Sequence, residues 1–113
     1  MAETMQQFEG GATRNANGDK FDYEAFINPE VLHAYGEFMH GHRKQRDGSL
    51  RDGDNWQKGI PKEQLMKSMF RHFVDVWMGH REGIGVDEEA LCAVLFNTMA
   101  YLHAVLLDNA DVT

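Results

Sequence analysis

Three stretches of this chain carry apolar residues at helical spacing, and no run of alternating apolar and polar residues separates them. Asn28-Pro29-Glu30 places a capping side chain, a proline suited to a first helical turn and an acid near the positive end of the helix dipole. Val31, Leu32, Tyr35, Phe38 and Met39 then recur on one face, which predicts a helix to about Arg43, where His42, Arg43 and Lys44 complement the dipole. Pro61 opens a second helix. Its Leu65, Met69, Phe73 and Val76, widened by Met66, Phe70 and Trp77, make an apolar face broad enough for neighbours on two sides. Gly79 to Gly85 should break it. The third helix starts at Asp87-Glu88-Glu89 and runs to about Leu107, apolar nearly all round, so it should be the most buried element.

These patterns define an all-α fold: a compact bundle of three main helices with a long loop between the first two. Met1 to Lys20 is rich in Gly, Asn, Gln and Thr and has no period, which by itself reads as a flexible arm. Asp22 to Ile27 is a short aromatic segment. Gln45 to Ile60 holds two turn-forming pairs, Asp47-Gly48 and Asp52-Gly53. A loop of this length in a small domain is usually functional, and Leu50 and Trp56 would anchor it. Ala90, Ala93, Asn97, Ala100 and Ala104 form a stripe of small residues that permits close helix approach, inside the protomer first and across a two-fold axis second. The chain is expected to be a homo-oligomer, a dimer or higher. The expected division is a flexible stretch over 1–9, one helical domain over 10–108 and a tail over 109–113.

A length of 113 residues suits one domain. The formal net charge of −7 argues against a protein that lives on nucleic acid, although an anionic small molecule is acceptable where local cations receive it. The single cysteine, Cys92, lies in an apolar run, so a reducing compartment is expected and a disulfide framework is not. With no leader-like apolar start and no segment read as spanning length, the expectation is a cytoplasmic protein with no membrane partner.

Candidate chemistry falls in four places. His33, Glu37 and His40 share a face of the first helix, and Glu37-x-x-His40 has the spacing by which bundle proteins aim a carboxylate and an imidazole at a metal. On the second helix, His72 and Asp75 sit one turn apart. Together with Glu89 these residues could hold a divalent cation; alternatively, His72 serves as a general base, or is a core histidine bonded locally. Asn97 and His103 interrupt the third helix and need polar partners, Asn97 either reading a base edge or bridging helices. Arg14 and Lys20 in the arm, and Arg51, Lys58 and Arg71 around Trp56, offer forks for phosphate beside an aromatic face for a base. Gly10-Gly-Ala-Thr-Arg14 adds backbone N–H groups that suit an anion.

Gly11-Ala12-x-Arg14, Gly18-x-Lys20-x-Asp22-Tyr23 and Pro29-x-Val31-Leu32 resemble the opening of a phage-associated family, the dATP/dGTP diphosphohydrolase N-terminal domain. Asp54-Asn55-Trp56-x-x-Gly59-Ile60-Pro61, Arg71-His72, Trp77 and Ala90-Leu91-Cys92-x-x-x-Phe96-Asn97 look like its remaining marks, so the likeness covers roughly Gly10 to Leu107. It implies an ordered arm from Gly10 to Tyr23 that belongs to the site. It also implies a nucleotide ligand, in a virus acting in its host's cytoplasm. The family is related by name to MazG-type all-α pyrophosphohydrolases, which hold Mg²⁺ through Glu-x-x-Glu and Glu-x-x-Asp pairs. Neither pair occurs in this chain; the nearest are Glu37-x-x-His40 and His72-x-x-Asp75.

Three functions follow as expectations. The first is a diphosphohydrolase of purine deoxynucleoside triphosphates, with Mg²⁺ or Mn²⁺ on Glu37, His40, Asp75 and Glu89, and with His72 and Asp75 catalytic. Arg14, Lys20 and Arg71 would hold phosphates and Trp56 the base, while Tyr23, Asn55, Lys58 and Asn97 complete the pocket. The second is a protein that sequesters a nucleotide, such as a signalling nucleotide of host defence, without turning it over; the missing acidic pairs favour it. The third is a helical protein whose Trp56 loop docks a protein partner.

Overall fold

Local capping chemistry sets the start of the first long helix where the pattern places it. In a computed structural model that describes residues 5–11, 13–15 and 20–110, without the side chains of Gln6, Arg14 and Asn15, the Asn28 side chain accepts the N–H groups of Glu30 and Val31 at 2.9 and 3.1 Å. These bonds satisfy donors that a first helical turn leaves orphaned. A one-turn helix, α1 (Tyr23–Phe26), is capped in the same way by Asp22, which accepts the Ala25 N–H at 3.2 Å. The three long helices are α2 (Pro29–Gly41), α3 (Lys62–Glu82) and α4 (Glu88–Ala110). The all-α bundle expected from the pattern is therefore what the chain forms.

Packing centres on α3 and α4, which run antiparallel. The Lys62 ammonium pairs with the Asp108 carboxylate at one end, and Gly79 meets the Gly85 backbone at the other. The core between them is Leu65 with Ala90, Ala93 and Ala100, and Asn97 is buried among them. The small stripe of α4 is thus used inside the protomer. α2 rests more lightly on α4, where the Tyr35 hydroxyl contacts the Met99 sulfur at 3.9 Å. Burial raises the Tyr35 pKa above its ordinary value, and Cys92 nearby adds to the rise.

Three boundaries differ from the pattern. α2 ends at Gly41, because His42 turns back so that its Nδ1 lies 2.8 Å from the Phe38 carbonyl and its ring tilts over Phe38 at 4.2 Å. α3 does not break at Gly79 but continues to Glu82, and Gly83 ends it in the left-handed region at φ 71°. A glycine at 79 marks a close approach: a Cβ there would stand 2.7 Å from the Gly85 carbonyl oxygen. α4 continues to Ala110, past the expected end near Leu107.

The arm adds a feature that its composition conceals. Met5–Gln7 (β1) pairs antiparallel with Thr13–Asn15 (β2), in the register Met5 to Asn15, Gln6 to Arg14 and Gln7 to Thr13. Three-residue strands are too short to show a period of two. Gly11 forms the turn at φ 89° and donates its N–H to the Phe8 carbonyl at 2.9 Å, so in Gly10-Gly11 this amide is spent on the hairpin and is not free for an anion. The principal extents are 56 × 44 × 31 Å.

Two glycines inside helices, Gly36 and Gly79, give opposite expectations. Alanine usually stabilises a helix interior over glycine by about 0.5–1 kcal/mol, and Gly36, with open space around its Cα, should follow that rule. Gly79→Ala should instead destabilise the fold by about 1–3 kcal/mol, because the added methyl meets backbone. Urea unfolding of both variants checks this, and stabilisation by Gly79→Ala would remove the close approach from the account.

Candidate functional site

The long loop after α2 is built in two parts. Arg43 and Arg51 lock its first half: the Arg51 N–H donates to the Arg43 carbonyl at 2.8 Å, and Arg43 Nε returns a bond to the Arg51 carbonyl at 2.7 Å. A β-bridge between Lys44 and Leu50 lies inside that clamp, with the Asp47-Gly48 turn at its tip. Asp47 Oδ1 accepts both the Ser49 hydroxyl, at 2.6 Å, and the Ser49 N–H, at 2.9 Å. These bonds favour the charged carboxylate and hold the Asp47 pKa below its ordinary value, the hydroxyl bond contributing most. The second half is a single 3₁₀ turn, Asn55–Lys58, that lowers Trp56 onto α4. The indole meets Phe96 and His103 edge-on, with ring centroids 6.0 and 5.1 Å apart.

Because Trp56 holds the loop down, a cleft of about 610 Å³ opens between the loop, the end of α2, the middle of α3 and the start of α4. Sites for small molecules commonly have this volume. The cations Arg43, Arg51 and Lys58 line its loop side. Asp52, Asp75, Asp87 and Glu89 supply carboxylates around the same space, and His42 and His72 bring imidazoles. Phe38, Trp56 and Phe96 provide aromatic surface, above a wall formed by Ala90, Ala93 and Asn97. The small residues serve twice, since they admit α3 and leave the void beside it.

The expected site residues separate into three groups. Asn55, Trp56, Lys58, His72, Asp75, Glu89 and Asn97 all reach the cleft. Asn97 is also a bridge: its Nδ2 donates to the Ala93 carbonyl at 2.8 Å and to the Ser68 hydroxyl at 3.3 Å. Arg71 falls outside, in a second, shallower hollow with Lys67 and Phe70 that shares His72 and Asp75 with the cleft wall. Glu37 lies on the outer face of α2, with its Oε1 2.7 Å from His33 Nε2, and His40 is exposed; neither lines the cleft. Lys20 and Tyr23 are exposed, Tyr23 edge-on to Phe21 with centroids 6.1 Å apart. The Arg14 side chain is outside the described residues.

The four residues expected to hold a metal are thus divided, Asp75 and Glu89 at the cleft and Glu37 and His40 away from it. Among the described residues no three His, Cys, Asp or Glu side chains group closely enough to ligate one ion. Arg43, Asp52 and Asp87 reach the cleft without having been singled out as ligand groups, since each also reads as a helix end or turn residue. Only the folding back of the loop gives them a common target. Cys92 is not part of the site: burial raises its pKa, helped by Glu88 and Glu89, which makes it a poor nucleophile.

The chain matches no protein-family model, no curated protein and no solved structure.

Asp47 carries fewer protons in the fold than in the unfolded chain, so the tip of the loop is most stable above the ordinary carboxylate range and weakens as pH falls through it. In an NMR titration the Ser49 amide proton should therefore report a midpoint below the roughly 3.9 of a free aspartate. A midpoint at or above that value would remove the two Ser49 bonds from solution. Asn97→Ala should destabilise the fold by about 1 kcal/mol, whereas Asn97→Asp, which sets a carboxylate against the Ala93 carbonyl, should cost more at neutral pH. Equal losses in thermal unfolding would deny Asn97 its bridging bond.

Proposed function

We propose that this chain binds a purine nucleotide in the cleft beneath the Trp56 loop. The supporting observation is that one wall carries Trp56 together with Arg43, Arg51 and Lys58. An aromatic ring supplies a stacking surface for a base, and guanidinium and ammonium groups match phosphate oxygens. The overall charge of −7 gives no long-range attraction for an anion, so Arg43, Arg51 and Lys58 would act at short range, on the side of the cleft away from Asp75, Asp87 and Glu89. Carboxylates on the opposite side can accept N–H groups from a base edge. Arg14, Lys20, Tyr23 and Arg71, expected at the same ligand, would need to reach it from elsewhere in the chain or from another copy.

Capture without turnover is the favoured form of this reading. Its support is the division of the expected metal ligands, with Glu37 paired to His33 on the outside of α2. Hydrolysis is the second reading, supported by Asp52, Asp75, Asp87 and Glu89, whose oxygens suit Mg²⁺ or Mn²⁺ better than imidazole does. In that case the cation would polarise a phosphoryl oxygen, and His72 would take a proton from the attacking water. The resemblance to the dATP/dGTP diphosphohydrolase domain supports a nucleotide under either form. A viral origin, with action on the host's nucleotide pool or signalling nucleotides, belongs to this proposal on the same ground.

Purified protein incubated with deoxynucleoside triphosphates and cyclic dinucleotides, with Mg²⁺ or Mn²⁺, separates the two forms. After filtration and denaturation, an intact nucleotide released only from the protein fraction is the expected result. A monophosphate and pyrophosphate in the filtrate would establish hydrolysis and replace capture. Binding of no nucleotide would overturn both. Arg51→Ala and Lys58→Ala should each weaken binding about tenfold, roughly 1.4 kcal/mol, by calorimetry. Arg71→Ala should change it less, and an equal loss would bring the shallow hollow into the site.

A further inference from the structure

Met66, Phe70, Phe73 and Trp77 recur at i, i+4, i+7 and i+11, so they form one stripe along α3. It is not the stripe that packs on α4, where Leu65 and Gly79 are buried. All four of these large side chains are 46–66% exposed. α4 repeats the arrangement. Leu91, Leu95, Leu102 and Leu106, 45–58% exposed, lie on the side of the helix opposite the buried Ala93, Asn97 and Ala100. A third apolar surface leads into α2, where Phe21, Tyr23, Phe26 and Ile27 are 54–76% exposed.

The stripes of α3 and α4, the two faces a partner would meet, together expose on the order of 800 Å² of apolar side chain, taking roughly 150–250 Å² for a fully exposed aromatic ring. The largest apolar patch on a typical monomer is about 300–600 Å², and a stable pair buries about 800 Å² per partner. Each stripe alone is of the size a monomer carries, and the two together match what one partner of a stable pair buries. The pattern of α3 called for neighbours on two sides, and among the described residues α4 is the helix that packs along it.

We infer that a second copy of this chain covers these faces, meeting the aromatic stripe of α3 and the leucine stripe of α4. Charge along α4 does not oppose a second copy. Residues 90–107 contain no Asp, Glu, Lys or Arg, so two copies of a chain with net charge −7 bring no like charges together along α4. A lipid surface is the competing occupant, since α4 is long enough and apolar enough to cross a membrane, with a mean hydropathy of 1.8. The antiparallel α3 argues against it. α3 follows α4 from Lys62 beside Asp108 to Gly79 beside Gly85, and Lys67, Arg71 and Asp75 would be drawn into the hydrocarbon with it. The small-residue stripe takes no part, because α3 already fills it.

This inference does not rest on the nucleotide reading. Sedimentation equilibrium of the full chain, from about 1 to 100 µM, tests it directly, because a self-assembled protein gains mass with concentration. The expected mass is twice the 12.9 kDa of one chain or a higher multiple. Phe70→Gln and Leu102→Gln, both more than half exposed in the protomer, should shift the equilibrium toward 12.9 kDa with helicity unchanged by circular dichroism. A wild-type mass of 12.9 kDa throughout that range overturns the inference without any variant, and so does a monomer that instead floats with lipid vesicles. Folded variants that both keep the wild-type mass would likewise overturn the assignment of these faces.

Discussion

The close approach of α3 and α4 is the constraint from which the rest of the molecule follows. Ala90, Ala93, Asn97 and Ala100 present almost no bulk to α3, and Gly79 has no side chain where the connecting segment returns. Dispersion and burial act over short distances, so helices with small facing residues can stack nearly backbone to backbone. That economy has a consequence. A core built from alanines accommodates few large side chains, and among the described residues no large side chain is fully buried. Phe70, Phe73 and Trp77 of α3 and Leu91, Leu95, Leu102 and Leu106 of α4 lie on other faces.

The cleft is the second product of the same geometry. Small residues near the start of α4 leave space, and the loop from His42 to Ile60 closes over it without filling it. Two kinds of contact keep the loop there. The Arg43–Arg51 clamp and the Asp47–Ser49 turn make its backbone self-supporting, and Trp56 fastens it to Phe96 and His103. A loop so held keeps the backbone that carries Arg43, Arg51 and Lys58 beside the cleft. Trp56 thus anchors the loop through T-shaped contacts with Phe96 and His103 and also lines the cleft.

Much of this was legible in the residues, for identifiable reasons. Helix starts are written by local rules, and Asn28-Pro29 caps as its chemistry requires, whereas the one-turn helix behind Asp22 is too short to show a period. Asn55, Trp56 and Lys58 stood out because a tryptophan inside a polar turn is poorly explained by core packing alone. Other features were hidden by ambiguity at single positions. Gly79 and Gly83 look alike in sequence, yet one is an interior contact and the other a left-handed stop. Arg43 and Asp87 read as dipole partners until the fold turns them toward a common space.

The sequence by itself determined the secondary structure of the helical body, the turn chemistry of the loop and the small-residue stripe, because each depends on neighbours within a few residues. Tertiary structure alone decided which face of each helix found a partner, since periodicity shows that a face is apolar but not what lies against it. It also separated Glu37 and His40 from Asp75 and Glu89. Spacing along one helix fixes a shared face, but the rotation of that helix against its neighbours determines whether two such faces meet, and here the packing of α2 on α4 leaves Glu37 and His33 paired with each other at the surface.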